Sequence, residues 1–269
     1  MMLFLGLLIL IGGFLIWRAR SKRQWQQEVL ASRLTDEEWR IIRSQVPLAH
    51  KLPPELKEPF EGKVALFLSQ VDLVGCDGLE VTDDIALSIA GQAALLVVGT
   101  DAWYKHLTTV LIYPGAFKSK QTLQDGYVVT EEEVVRLGES WSRGPVVLSW
   151  RDAQHGGLND SDGLNVVLHE FAHQLDDLSG QTDGAPPMAE GQSFARWAQV
   201  IIEAYDRHVT NTQAGRRTAI DAYGATSHEE FFAVAVELFF EKPHALQDAE
   251  PEVYAQLSKL LNVDPASWR

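Results

Sequence analysis

The five residues from His169 to His173, HEFAH, constrain this chain more than any other stretch of its sequence. Residues four apart lie on one face of an α-helix, so His169 and His173 can direct two imidazole nitrogens at one point if the segment is helical. Glu170 follows His169 directly, where its carboxylate can reach a water bound to the same metal. This is the HExxH pattern of two zinc ligands and a general base, and it predicts a zinc hydrolase.

The residues on either side of this pattern support a helix. Apolar residues recur at helical spacing along NVVLHEFAHQLD, which predicts a helix at about residues 162–178. Asp160, Ser161 and Asp162 are candidates for its N-cap. The alternative is an amphipathic helix with two histidines in the core, because a five-residue pattern also arises by chance.

Length, charge and cysteine content narrow the classes of function. A chain of 269 residues with 46% hydrophobic residues and 8 tryptophans predicts one large folded domain or two small lobes. The formal net charge of -14 argues against direct nucleic acid binding, because no basic surface would neutralise phosphates. Cys76 is the only cysteine, which excludes an intramolecular disulfide and a cysteine-rich metal site and fits a reducing compartment.

The N-terminal residues 1–17 form an apolar segment without charged side chains. As a helix it would span about 25 Å, slightly less than the roughly 30 Å of a bilayer's hydrocarbon core. Four basic residues follow it: Arg18, Arg20, Lys22 and Arg23. Because they come after the apolar run and no small-residue cleavage site is present, the pattern favours a single-pass membrane anchor over a cleavable signal peptide. A buried helix and an uncleaved secretory signal are the alternatives.

The position of the basic residues also predicts topology and domain organisation. The positive-inside rule places residue 18 onward in the cytoplasm, and the chain at the inner (cytoplasmic) membrane. Residues 1–23 are then the anchor and its basic flank, and residues 24–269 are the catalytic domain. That domain has possible lobes at 24–178 and 179–269.

Helical and strand signals along the chain predict an α+β fold, mainly helical with a small mixed sheet, plus the N-terminal transmembrane helix. Helices are expected from Asp36 to near Pro47, over 54–70 with an interruption near Pro59 and Gly62, over the buried run 85–99 capped by Thr82, over 192–210 and 227–241, and from Pro251. Strands are expected over 108–113, within 127–137 and over 146–150.

A catalytic zinc needs a third protein ligand, which HExxH does not supply. A metzincin would have glycine and histidine where this chain has Asp176 and Ser179, so that class is excluded. Glu190 and Glu203 lie at about the distance expected of a thermolysin-like ligand, but neither has the local sequence of one.

Glu230 is a stronger candidate for the third ligand. It begins a helix whose following residues are almost wholly apolar, so its carboxylate is expected near a buried surface. The alternative is a capping box between Ser227 and Glu230, in which the carboxylate would only bond the Ser227 backbone N–H.

Three segments together resemble the Mlc titration factor A family of zinc metallopeptidases: NVVLHEFAHQLD, GPVVLSW at 144–150 and DAY-x-x-x-x-x-x-E at 221–230. The resemblance runs from about residue 35 to 262 and implies a zincin-like metallopeptidase domain. It implies one Zn²⁺ per chain bound by His169, His173 and Glu230, with Glu170 as general base and Tyr223 facing the substrate carbonyl. The Tyr-to-Glu spacing is also similar to that of the anthrax lethal factor catalytic domain. For Tyr223 the alternative is a half-buried aromatic in a turn.

The resemblance leaves more than one function open. The leading hypothesis is a membrane-anchored peptidase acting on a peptide or protein substrate. The alternative is a regulatory protein that binds and sequesters a transcriptional repressor, because the family is named for that activity. A deformylase-like amidase would need a cysteine ligand, and Cys76 lacks the local sequence of one.

Three further residues or segments have two interpretations each. Asp176 and Glu237 either hydrogen-bond to the ligand imidazoles or are ordinary surface acids. The segment VVLSW at 146–150 is either an edge strand that pairs with an extended peptide or a strand of the core.

Overall fold

Ten α-helices dominate the part of the chain that the structure describes. The computed structural model describes residues 2–125, 128–136, 138–140 and 144–268, and the side chains of these residues except at 2–11, 15, 16, 19 and 117–140. The helices are α1 (Met2–Leu30), α2 (Asp36–Gln45), α3 (Pro54–Gln70), α4 (Asp83–Val97), α5 (Trp150–Leu158), α6 (Val166–Asp176), α7 (Phe194–Gln213), α8 (His228–Glu241), α9 (Pro243–Ala249) and α10 (Pro251–Leu261). The mainly helical domain expected from the sequence is therefore observed.

Side-chain caps start two of the early helices, as their sequences predict. At α2, Thr35 and Glu38 form a complete capping box: the Thr35 hydroxyl accepts from the Glu38 N–H, and the Glu38 carboxylate accepts from the Thr35 N–H at 2.7 Å. At α4, Thr82 accepts from the Ile85 N–H at 3.4 Å. These two helices are thus set by local sequence.

A small four-stranded sheet lies among the helices. Its strand order is β1 (Asp72–Gly75), β2 (Thr109–Tyr113), β6 (Val146–Ser149) and β5 (Gly138–Ser140), while β3 (Phe117–Asp125) and β4 (Val128–Arg136) form a separate antiparallel pair. β1, β2 and β6 run parallel, and β5 joins β6 antiparallel. All four residues of β6 are buried. The segment VVLS is therefore an inner strand, and the edge-strand interpretation of it is wrong. The edge strands of this sheet are β1 and β5.

Helix α4 is the centre of the core. Its residues from Ser88 to Val97 are all buried, and it packs against α2, α3, α5 and α6. Gly91 allows a close approach to the residue that ends α2, because a Cβ there would already lie 3.3 Å from the Val46 side chain. This apolar run is buried core, as its length and its small residues predict.

The predicted transmembrane helix, the apolar run 1–17 of the predicted anchor 1–23, is wrong. Within the described residues, none of the helices combines the length and the apolar character needed to cross a membrane. Helix α1 does not end with the apolar run, but continues through the basic cluster to Leu30 and packs against α3. The uncharged run alone is shorter than a hydrocarbon core. The side chains of residues 2–11 lie outside the described residues, and the predicted membrane anchoring is not supported.

Helix α3 continues through Pro59 and Gly62 without the predicted interruption. Pro59 lies in the second turn, so its missing N–H removes one early hydrogen bond and leaves the rest of the helix intact. Gly62 is required by packing: a Cβ there would lie 2.2 Å from the carbonyl oxygen of Leu30. The glycine that was expected to break α3 is instead where α1 docks on it.

Lys63 is a buried cation in α3. Its Nζ donates to the Ala102 carbonyl at 3.0 Å and lies 5.5 Å from the centre of the Trp103 ring. Burial lowers the pKa of Lys63 to about 8, although the negative charge of Asp101 acts in the opposite direction and raises it.

Raising the pH from about 8 to 10.5 is expected to stabilise the wild type relative to Lys63→Met. In that range the folded chain gives up the Lys63 proton while the unfolded chain keeps it, so the free energy of unfolding rises by about 1.4 kcal/mol per pH unit, about 3 kcal/mol in all. Urea unfolding of both proteins at about pH 7, 9 and 10.5 measures the difference. A difference that stays constant with pH would contradict the assignment.

Candidate metal centre

Helix α6 carries the HExxH residues and begins later than predicted. Its N-cap is Asn165, whose side-chain oxygen accepts from the Leu168 N–H at 3.0 Å. The predicted caps at 160–162 are wrong; Asp162 instead accepts from the Leu164 N–H at 2.9 Å. The helix starts at Asn165 because buried carboxylates of α8 hold the backbone just before it.

One face of α6 is fixed in the core by aromatic packing. The Phe171 ring lies 5.5 Å from the Phe67 ring and 5.0 Å from the Tyr104 ring, and all three side chains are buried. The side chains of His169 and His173, on the other face, are only 11% exposed. The helix is therefore a rigid base on which the two imidazoles converge.

His169, His173 and Glu230 bring three potential ligand atoms together. Glu230 Oε2 lies 2.9 Å from His169 Nε2 and 3.5 Å from His173 Nε2, and the two Nε2 atoms are 3.3 Å apart. Atoms bound tetrahedrally to one zinc ion lie about 3.3 Å from one another. Within the described chain, no other group of three His, Cys, Asp or Glu residues has its ligand atoms so close. The donor set and its spacing fit a single divalent ion.

The electrostatics of this cluster favour a cation between its members. Burial opposes ionisation of Glu230, but hydrogen bonds with His169 and His173 and attraction to their charges hold the pKa of Glu230 well below its ordinary value. Burial also opposes protonation of His169, yet hydrogen bonds to Glu230 and Glu237 raise its pKa above the ordinary value. A metal ion would take the place of protons that the imidazoles otherwise attract.

Glu230 reaches the cluster from the first turn of α8. Its backbone N–H donates to the Ser227 hydroxyl at 3.4 Å, so Ser227 is the N-cap, but its carboxylate faces the imidazoles rather than the Ser227 N–H. Only half of the capping box, which was the alternative interpretation of Glu230, is present. The other candidate ligands lie elsewhere: Glu190 lines a cavity beside α10, and Glu203 accepts from Gln199 on α7.

Tyr223 stands over the cluster from a 3₁₀ turn at Ala222–Ala225. Its hydroxyl donates to Glu230 Oε1 at 3.3 Å, its ring centre is 5.9 Å from that of His169, and the residue is 52% exposed. Asp221 caps the turn by accepting from the Tyr223 N–H at 2.9 Å. Buried His208 donates to the Asp221 carbonyl at 3.0 Å, so the turn is held from beneath.

Glu237 hydrogen-bonds to the imidazole of His169, as one of its two interpretations predicts. Its Oε1 lies 2.8 Å from His169 Nδ1, and its other oxygen accepts from the Asn165 backbone N–H. This contact places the Nδ1 proton towards Glu237 and leaves Nε2 of His169 free for a metal. Asp176, the candidate partner of His173, is buried but accepts from the Gly184 N–H at 2.6 Å. Burial raises the pKa of Asp176 to about 7.

Glu241 belongs to the same network and was missed in the sequence. Its carboxylate accepts from the backbone N–H groups of Gly163 and Leu164, at 2.9 and 3.1 Å, and from the Asn165 side chain at 3.1 Å. One signal could have found it. Glu230, Glu237 and Glu241 are spaced seven and four apart in a helix that is otherwise apolar from Phe231 onward, which puts all three carboxylates on one face.

Glu170 follows His169 in α6 and is almost completely buried. Only 5% of its surface is exposed, and burial raises the pKa of Glu170 to about 7. A carboxylic group with that pKa can both accept and return a proton near neutral pH, which is the requirement for a general base that later acts as an acid.

Comparison with known protein families agrees with this geometry. The family model of the glucose-regulated metallo-peptidases M90 matches residues 17–261. The chain belongs to this family. Its resemblance to the Mlc titration factor A family is thereby confirmed, because named members of that family are also relatives of this M90 chain.

These relatives align along most of this M90 chain. An uncharacterized protein of Synechocystis sp. is 37% identical over 98% of this chain and 95% of its own length. Mlc titration factor A of Yersinia enterocolitica is 32% identical over 93% and 91%, and that of Klebsiella pneumoniae 31% over 82% and 84%. A solved structure, the Pro-Pro endopeptidase PPEP-2 of Paenibacillus alvei, covers 72% of this chain and 98% of its own with a TM-score of 0.42 and 19% identity. That likeness carries no argument about function.

Proposed function

We propose that this M90-family chain is a zinc-dependent peptidase in which His169, His173 and Glu230 hold the metal. The observation that carries the proposal is the convergence of two imidazole nitrogens and one carboxylate oxygen, all within 3.5 Å of one another. Zinc fits this donor set of two nitrogens and one oxygen, which leaves a fourth position open to substrate or water. The substrate class is a peptide or a protein.

Each residue around the ligands has a role in hydrolysis. When bound, the zinc polarises the scissile carbonyl and lowers the pKa of the attacking water. Glu170 takes the proton from that water and delivers it to the leaving amine. The Tyr223 hydroxyl, now donating to Glu230, turns to donate to the oxyanion that develops on the carbonyl. Glu237 keeps His169 in the tautomer that binds metal.

The edge strand β5 offers a place for the substrate backbone. It packs against α6, and among the described strands it pairs only with β6. Its other edge can hydrogen-bond to an extended peptide, as exposed sheet edges do in peptide-binding proteins. A substrate held this way would lie alongside the metal helix.

Removal of the metal is expected to abolish hydrolysis, and zinc is expected to restore it. The full chain, treated with a chelator and dialysed, would be assayed on short peptides with free and with blocked ends, before and after addition of one equivalent of zinc. Zinc content is measured by elemental analysis on the same samples. A wild type that binds zinc but cleaves none of the peptides would contradict the peptidase proposal.

A second candidate function is the binding of a transcriptional repressor. It is favoured by one observation: relatives about a third identical over most of this chain carry the name Mlc titration factor A. Glu170→Gln separates the two functions. It should remove hydrolysis while leaving the surface that a repressor would contact unchanged.

A further inference from the structure

Gly184, in the segment between α6 and α7, touches three helices with three parts of its backbone. Its N–H donates to Asp176 Oδ2 at the end of α6, at 2.6 Å. Its carbonyl accepts from Trp197 Nε1 in α7, at 3.2 Å. Its Cα faces the start of α8 so closely that a Cβ would lie 2.7 Å from the His228 carbonyl oxygen.

Only glycine meets both requirements of this position. The φ angle is +80°, a left-handed conformation that side chains disfavour. The approach of the His228 carbonyl leaves no room for a Cβ, and the obstacle is backbone rather than a flexible side chain. The surroundings cannot easily yield, because Gly184, Asp176 and Trp197 are all buried.

The two helices that meet at Gly184 carry the three proposed metal ligands. Asp176 lies three residues after His173 in α6, and His228 lies two residues before Glu230 in α8. We propose that Gly184 is a positioning residue of the metal centre: it sets the separation between the end of α6 and the start of α8, and thereby brings Glu230 to the two imidazoles. This inference rests on the proposed metal site.

The separation between α6 and α8 is important because a metal site tolerates only small errors in the positions of its ligands. Ligand distances are defined to about 0.2 Å, and a site loosened by 1 Å no longer binds well. A methyl group at position 184 needs several tenths of an ångström more than the 2.7 Å available. Because His228 is so near Glu230 in the chain, the displacement would pass to the ligand carboxylate.

The test compares Gly184→Ala with Gly180→Ala in the full chain. Gly180 has a φ of +94° and nothing within 4 Å of an added Cβ, so its alanine variant has the backbone strain without the contact. Zinc affinity is measured by competition with a chromogenic chelator, and folding by circular dichroism. We expect Gly184→Ala to bind zinc about 10–100-fold more weakly than Gly180→Ala, the loss typical when a partner that orients a metal ligand is removed.

Equal zinc affinities in the two folded variants would overturn the inference. Should Gly184→Ala fail to fold, Trp197→Phe removes the hydrogen bond to the Gly184 carbonyl together with part of the buried indole. This variant is expected to weaken zinc binding in the same direction, whereas unchanged affinity in the folded variant would again overturn the inference. A wild type that binds no zinc would instead disprove the proposed metal site. The two failures are thus distinguishable.

Discussion

Replacing Glu230 with glutamine is expected to lower the zinc affinity of the chain by more than about 100-fold. This exceeds the roughly 10–100-fold loss that is typical when a residue that only hydrogen-bonds to a metal ligand is removed. The Glu230 carboxylate lies 2.9 and 3.5 Å from the two imidazoles, and its charge offsets part of the charge of the ion. Glutamine has nearly the same shape but no charge, so the loss of affinity measures what the charged carboxylate contributes to zinc binding. Elemental analysis after dialysis and competition titration both measure it.

Glu229→Gln is the matched control for this prediction. It makes the same chemical change in the same turn of α8, at a residue outside the cluster of ligand atoms. A Glu230→Gln protein that keeps its zinc but loses stability would make Glu230 a structural residue of the helix start. The third ligand would then have to be sought among the other acids, with Asp177, directly after α6, as the first to replace.

Glu170→Gln is expected to lower kcat by about 10²–10⁴, the usual contribution of a general base, with zinc content unchanged. The residue is buried beside the two histidines, and glutamine preserves its volume, so packing is retained. The amide cannot take a proton from water. Hydrolysis of the peptide set by wild type and variant, with zinc measured on the same samples, gives the comparison.

The variant would contradict the mechanism if it kept more than about a tenth of the wild-type rate, since general-base removal costs at least about 100-fold. Loss of zinc in Glu170→Gln would be a different result, showing that the residue supports the metal rather than the proton transfer. Binding of a repressor by an inactive variant would favour the regulatory function.

The sequence predicts best where the physical cause is local. The two histidines of HExxH lie about one helical turn apart, so their geometry follows from helical spacing. The N-cap at Thr35 likewise depends only on the residues next to it. Glu230 was a candidate because of the apolar helix behind it. Its position beside residues about sixty earlier in the chain depends on the packing of α6 against α8, which no local pattern contains.

The errors have the same origin. The start of α6 was misplaced because Asn165 is held by Glu237 and Glu241, more than seventy residues away. The inner place of β6 depends on pairing with β2 and β5, which the letters VVLS do not specify. At the N-terminus, hydropathy alone suggested a span, whereas helix α1 continues well past the apolar run.

The carboxylate of Glu237 contacts both the helix start of α6 and the candidate metal centre. One of its oxygens binds the backbone at the start of α6, and the other binds the imidazole of His169. The same side chain that lets the helix begin therefore also selects which nitrogen of His169 faces the ligand cluster. These two contacts orient His169 without the help of a metal ion, so folding of this region does not depend on metal binding. A zinc finger unfolds without its ion. This domain, in contrast, is expected to keep its fold when the proposed zinc is removed, because hydrogen bonds within the chain hold the start of α6 and the imidazole of His169.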